Sequence, residues 1–164
     1  MMKVVVFGGS GFLGSHVADA LTEARHEVTV FDLRKSQFLK DKQHMVVGDI
    51  LDERLIKNIV AGKDIVYNFA GIADINECIK RPLDTVKYNV LGNSIILEAS
   101  LKAEIKRYLF ASSSYVYSTY GSFYKSSKQA CELFIYSYFE KYGLPYTILR
   151  YGSLYGDRAD DRNT

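Results

Sequence analysis

Tyr124 and Lys128 stand four residues apart, a spacing that puts both side chains on one face of a helix. A phenol ionises near ~10, so it is a poor base at neutral pH until positive charge lies beside it. The Lys128 ammonium is such a charge. In a chain with 13 tyrosines a pair of this kind also arises by chance. Its position is what singles it out, because the pair opens a helical pattern just after an apolar run that ends in Ser112-Ser113-Ser114. A strand end of this kind is where ligands bind in an open parallel sheet. One of the three hydroxyls is suited to orient a reacting oxygen, and the residue types alone leave open which.

Gly8, Gly11 and Gly14 lie three apart between an apolar run and a helical pattern. Glycines there permit a tight turn, close approach of the backbone to a pyrophosphate, and tight packing of helix on strand. The first-turn N–H groups of Phe12, Leu13 and Gly14 then face the anion with the positive end of the helix dipole. Ser10 adds a hydroxyl donor. The next apolar run ends at Asp32-Leu33-Arg34, and a carboxylate at that point takes both ribose hydroxyls of an adenosine. Asp32 repels a 2′-phosphate and so favours NAD over NADP, although Arg34 partly offsets it. With an oxidised nicotinamide beside it, Tyr124 would take a hydroxyl proton while hydride leaves the same carbon, and Lys128 would reach the nicotinamide ribose.

These residues need a scaffold that alternates strands and helices, and the pattern supplies one. Short apolar runs occur at Val4–Phe7, Val28–Phe31, Met45–Val47, Asp64–Phe69, Tyr108–Ala111 and Tyr146–Leu149. Between them lie helical patterns. The first, Phe12–Ala24, has Leu13, Val17, Ala20, Leu21 and Ala24 as its apolar stripe. A short one is capped by Asp52, and a long one follows Pro82, with Val86, Val90, Ile95, Ile96, Leu97 and Leu101 on its apolar face. The last, Phe123–Tyr142, is stopped by Gly143. The expected fold is an α/β, Rossmann-like, doubly wound parallel sheet of about six strands with helices on both faces.

Composition agrees. The 164 residues are 48% apolar and 24% charged with a net charge of +2, which excludes intrinsic disorder and coiled coil. No strong field draws in nucleic acid or an anionic membrane. No apolar run approaches the ~18 residues of a spanning helix. Cys78 and Cys131 have no CxxC partner, and His16, His26 and His44 share no ligand spacing, so no metal is expected. Free thiols suit a reducing cytosol, and a first strand at Lys3 leaves no room for a secretory leader, so a cytoplasmic location is expected.

The Gly-x-x-Gly-x-x-Gly spacing, taken with further segments, resembles the extended short-chain dehydrogenase/reductase family, which contains the NAD-dependent nucleotide-sugar epimerases and dehydratases. Gly48-Asp49-Ile50 matches its adenine-binding turn, with Asp49 on the adenine amino group and Ile50 against the ring. Phe69-Ala70-Gly71 matches the segment beneath the nicotinamide ribose and pyrophosphate. Asn89 matches an asparagine that steadies the central helix and faces the cofactor, and Tyr151 a residue beside the nicotinamide. Counting back from Val116-Tyr117, Ser113 takes the family's catalytic hydroxyl position, with Ser112 and Ser114 as alternatives, and Tyr124 and Lys128 take its base and lysine positions.

The resemblance implies a nucleotide-sugar substrate and a homodimer through the two long helices. It also divides the chain into a cofactor domain over residues 1–156 and, over 157–164, the start of a connection to a substrate domain that is not present. A chain of this extent would bind NAD and turn a sugar nucleotide over poorly. The family's 4,6-dehydratases carry Asp-Glu after the catalytic hydroxyl and the related decarboxylases keep the glutamate, whereas Ser114 and Tyr115 stand here. That favours an NAD-dependent epimerase. An NAD(P)H-dependent 4-keto-sugar reductase and a non-enzymatic dinucleotide sensor remain alternatives. Three departures bear on the sugar site: Ser113 and Tyr124 are only eleven apart, Ser153 replaces an asparagine, and Asp157 replaces a proline.

Overall fold

The computed structural model describes residues 1–159. Its strands are β1 (Lys3–Phe7), β2 (Glu27–Asp32), β3 (Gln43–Val47), β4 (Ile65–Asn68), β5 (Arg107–Ser113) and β6 (Tyr146–Tyr151). They form one six-stranded sheet in the order β3-β2-β1-β4-β5-β6, with every pairing parallel. The helices are α1 (Phe12–Glu23), α2 (Glu53–Val60), α3 (Ile75–Lys80), α4 (Pro82–Thr85), α5 (Gly92–Lys102) and α6 (Ser122–Tyr142). Strand order reverses at β1, whose neighbours are β2 and β4. A crevice forms at such a switch point, outside the carboxyl ends of the strands.

β1 is the centre of the molecule, and Val4, Val5, Val6 and Phe7 are all fully buried. Alternation sends Val5 and Phe7 into one core with Ile56, Ile96, Leu97 and Ile135, beneath α2, α5 and α6. Val4 and Val6 enter a smaller core with Ala18, Val28 and Val30, beneath α1. Helices therefore lie on both faces, unequally. On β4 and β5 the residues of the first face, Val66, Tyr108 and Phe110, are buried, while Ile65, Tyr67, Leu109 and Ala111 opposite are only half-buried.

Several local expectations need correction. The buried face of α1 is Gly14, Ser15, Ala18 and Asp19, and Ala20 and Ala24 are exposed. Small residues let α1 approach the sheet closely, so a stripe of larger apolar residues mislocates the face. The helix after Pro82 is interrupted by a π-helical segment, Val86–Leu91, which shifts the register and leaves Val86 56% exposed. α3 carries Cys78, and Asp74 and Glu77 form its capping pattern, with Glu77 N donating to Asp74 Oδ1 at 2.8 Å. The Asp52 cap is present, accepting from Leu55 N at 3.0 Å. Residues 160–164 of the expected interdomain connection lie outside the described residues.

Candidate active site

The site is built at the carboxyl ends of β1, β4 and β5. Gly8 follows β1 with φ +73°, and its N–H donates to Phe31 O at 2.9 Å. A Cβ on Gly8 would lie 2.7 Å from Ala70 N, so the turn presses directly on the end of β4. A Cβ on Gly14 would lie 2.2 Å from Gly8 O, which sets how closely α1 sits on the turn. Gly11 caps α1 with no side-chain bond to the first turn, and Phe12, Leu13 and Gly14 line the crevice, where first-turn amides could hold an anion.

Two clefts meet at this turn and share Gly8, Gly11, Phe69 and Gly71 as walls. The first, about 530 Å³, carries Phe12, Leu13, Gly14, Ser113, Tyr124, Lys128 and Tyr151. The second, about 640 Å³, carries Asp32, Leu33, Arg34, Asp49, Ile50 and Ala70. Together they make a continuous trough with a carboxylate at one end, amide donors at the middle and titratable side chains at the other. That sequence of groups fits a dinucleotide laid lengthwise, with adenosine toward Asp32 and the nicotinamide toward Tyr124.

Two predicted residues line neither cleft. Ser10 donates its backbone N–H to Asp32 Oδ2 at 3.0 Å and its hydroxyl to Arg34 O at 2.8 Å, so it braces Asp32. Asn89, on the π-helical segment, is buried behind Gly71. Its Oδ1 accepts from Ile72 N at 2.7 Å, and its Nδ2 donates to Ile72 O and Ser127 Oγ, both at 3.0 Å. It fixes the loop after β4 and the helix that carries Lys128.

Gly121 and Ser122 reverse the chain with φ +101° and +44°, which places Tyr124 in the first turn of α6 beside the end of β5. Burial raises the Tyr124 phenol, and the Ser113 side chain works against that rise. Lys128 is buried, its Nζ donating to Ala111 O at 2.7 Å and lying 4.8 Å from the Phe110 ring centre. Burial pulls its ammonium below the usual lysine value, while Cys131, Cys78 and Glu132 oppose that fall. Ser112 is engaged elsewhere, donating to Glu132 Oε1 at 2.5 Å. Ser113 Oγ accepts from Tyr115 N at 3.2 Å, and Ser113 and Ser114 both line the first cleft with Tyr124.

Beneath these residues the buried Glu132 accepts from Arg150 Nε at 3.0 Å and Nη2 at 2.7 Å. Arg150 also donates to the Tyr117 hydroxyl, which pins the short turn after β5. The sequence offered no sign of this network, because its members come from α6, β5, β6 and a loop. Sequence reasoning also missed the outer wall of the first cleft, formed by Ala73, Asp74, Ile75 and Asn76. Ser153 lines the same cleft, while Asp157 lines neither, its backbone carbonyl 2.7 Å from His16 Nε2. Among the described residues, no group of His, Cys, Asp or Glu is arranged to hold a metal. No helix among them is long and apolar enough to cross a membrane.

The NAD dependent epimerase/dehydratase family model matches residues 4–164. The chain belongs to this family. Among its relatives in the family, the UDP-N-acetyl-alpha-D-glucosaminuronate decarboxylase of Bacillus cytotoxicus is 31% identical, over 97% of this chain and 56% of that one. Among solved structures, the UDP-N-acetylglucosamine 4-epimerase of Methanobrevibacter ruminantium, in complex with UDP-N-acetylmuramic acid, superposes with a TM-score of 0.90. It is 30% identical, covering 98% of this chain and 57% of that one. The Thermus thermophilus UDP-glucose 4-epimerase complex with NAD gives a TM-score of 0.88 at 28% identity, covering 97% and 58%. This family member thus spans little more than half the length of each.

Proposed function

We propose that the chain is the cofactor-binding part of an NAD-dependent nucleotide-sugar epimerase in which Tyr124 moves the proton. The observation that carries this reading is the meeting of Ser113, Tyr124 and Lys128 in a cleft continuous with the glycine turn. The α1 amides would hold the pyrophosphate, Asp32 the adenosine ribose and Asp49 the adenine, while Phe69, Ala70, Gly71 and Tyr151 shape the path. NAD, when bound, supplies a hydride acceptor and a positive charge next to the phenol.

The chain's own residues supply the rest. Ser113 holds the sugar oxygen, and Tyr124 takes its proton and later returns it. Burial alone would keep the phenol protonated. Base strength at neutral pH therefore depends on positive charge from Lys128 and the cofactor. The relatives span decarboxylase and epimerase chemistry, but Ser114 and Tyr115 put no carboxylate after Ser113, which supports epimerisation. Exposed Leu133 (65%) and Phe134 (46%) on α6 support pairing of two copies through α5 and α6, and sedimentation would test it. The buried thiols Cys78 and Cys131 suit the cytoplasm.

The test is NAD titration of this chain, together with interconversion of UDP-glucose and UDP-galactose by a form that also carries a substrate domain, in the wild type and Tyr124→Phe. The variant should keep its NAD affinity and lose turnover by about 10²–10⁴-fold. Equal turnover in Tyr124→Phe would contradict the assignment.

A further inference from the structure

One wall of the adenosine end has no role in the chemistry above. Asp32, Leu33 and Arg34 stand on the β2 side of this cleft, and Arg81 also lines it. Arg81 is the single residue between α3 and α4. Pro82 follows it and keeps its backbone out of the helical region, at φ −131° and ψ 62°. Asp84, three residues on, accepts from Arg81 Nε at 2.8 Å, and its Oδ2 lies 2.6 Å from Nη2. The Asp84 carboxylate therefore offsets the guanidinium charge at the edge of the cleft, while the Arg81 side chain stays 54% exposed.

We infer that Arg81 is an adenine-binding residue, its guanidinium plane lying against the purine ring. This rests on the reading that the trough takes NAD. A planar, delocalised, weakly hydrated cation stacks well on an aromatic face. Arg81 suits that task better than phosphate reading, because Asp84 already offsets its charge. Among the described residues the Arg34 side chain has no carboxylate partner, and it adjoins Asp32. A 2′-phosphate would meet Arg34, not Arg81.

Calorimetric titration of the full chain with NAD, NADP, ADP-ribose and nicotinamide mononucleotide tests this. Arg81→Ala should weaken NAD and ADP-ribose by the same factor, about three- to tenfold, and leave nicotinamide mononucleotide unchanged. Arg81→Lys should not restore the loss, because a compact ammonium has no flat face. Arg34→Ala should weaken only NADP. The Arg81 side chain is 54% exposed, so the variants should melt with the wild type. Unchanged ADP-ribose affinity in Arg81→Ala, or a loss confined to NADP, would overturn the inference while leaving the NAD reading in place. A folded wild type that binds neither NAD nor ADP-ribose would overturn both.

Discussion

Lys128 shows what a buried charge at this site costs the fold. Among the described residues its Nζ hydrogen-bonds to the Ala111 carbonyl alone, and burial depresses its pKa below the ordinary 10.5. Between the folded and unfolded pKa values the unfolded chain binds more protons, so stability rises with pH across that window. Lys128→Met should raise stability at neutral pH by about 1 kcal/mol in urea unfolding, with the gain shrinking as pH rises toward 10.5. Equal stability of the two proteins at pH 7 would show that the lysine is not strained. At this scale the sequence was informative about residue type and weak about partners. The run Ser112-Ser113-Ser114 left three hydroxyls open. Glu132 takes up Ser112 from 20 residues away in the chain and leaves Ser113 and Ser114 to the cleft. No local pattern carries a contact of that span.

Among the elements, the glycine turn with α1 and the β5–α6–β6 corner do the positioning. Gly14→Ala would place a methyl group 2.2 Å from Gly8 O, on backbone that cannot give way without moving α1. NAD affinity should fall by about 10²-fold or more, as expected when the anion-binding amides shift. Retained affinity would mean that the turn tolerates a wider approach. Glu132→Ala should cost about 1–3 kcal/mol, because Ser112 and the part-exposed Arg150 lose a charged hydrogen-bond partner. Glu132 is itself held below the ordinary 4.5, since hydrogen bonds from Arg150 and Ser112 outweigh the opposing effect of burial. Its contribution is present above pH 4.5 and is lost as pH falls through the lower folded value. Wild type should therefore lose stability in acid more steeply than Glu132→Gln, as thermal melts from pH 6 to 3 would show. The strands and main helices were legible because apolar runs and 3.6-residue periodicity are local signals. The π-helical segment and the buried face of α1 were not, since both depend on how closely small residues let helices pack.

In the molecule as a whole, the sheet order puts the switch point, and hence the trough, beside β1. Parallel crossovers read from sequence anticipated this arrangement, and it explains why residues from Gly8 to Tyr151 converge. Coverage of the two faces was not legible, because it depends on what packs against β4 and β5. Phe110→Ala, in the fully covered core, should cost about 3–5 kcal/mol in chemical denaturation. Leu109→Ala, on the half-buried face, should cost less than the ~2–5 kcal/mol of a fully buried leucine. Equal costs would contradict the unequal coverage. Calorimetric titration of this chain with NAD tests directly whether the trough is a dinucleotide site. One NAD should bind per chain, with affinity kept in Tyr124→Phe and lost in Gly14→Ala. A folded wild-type chain that takes up no NAD would contradict it.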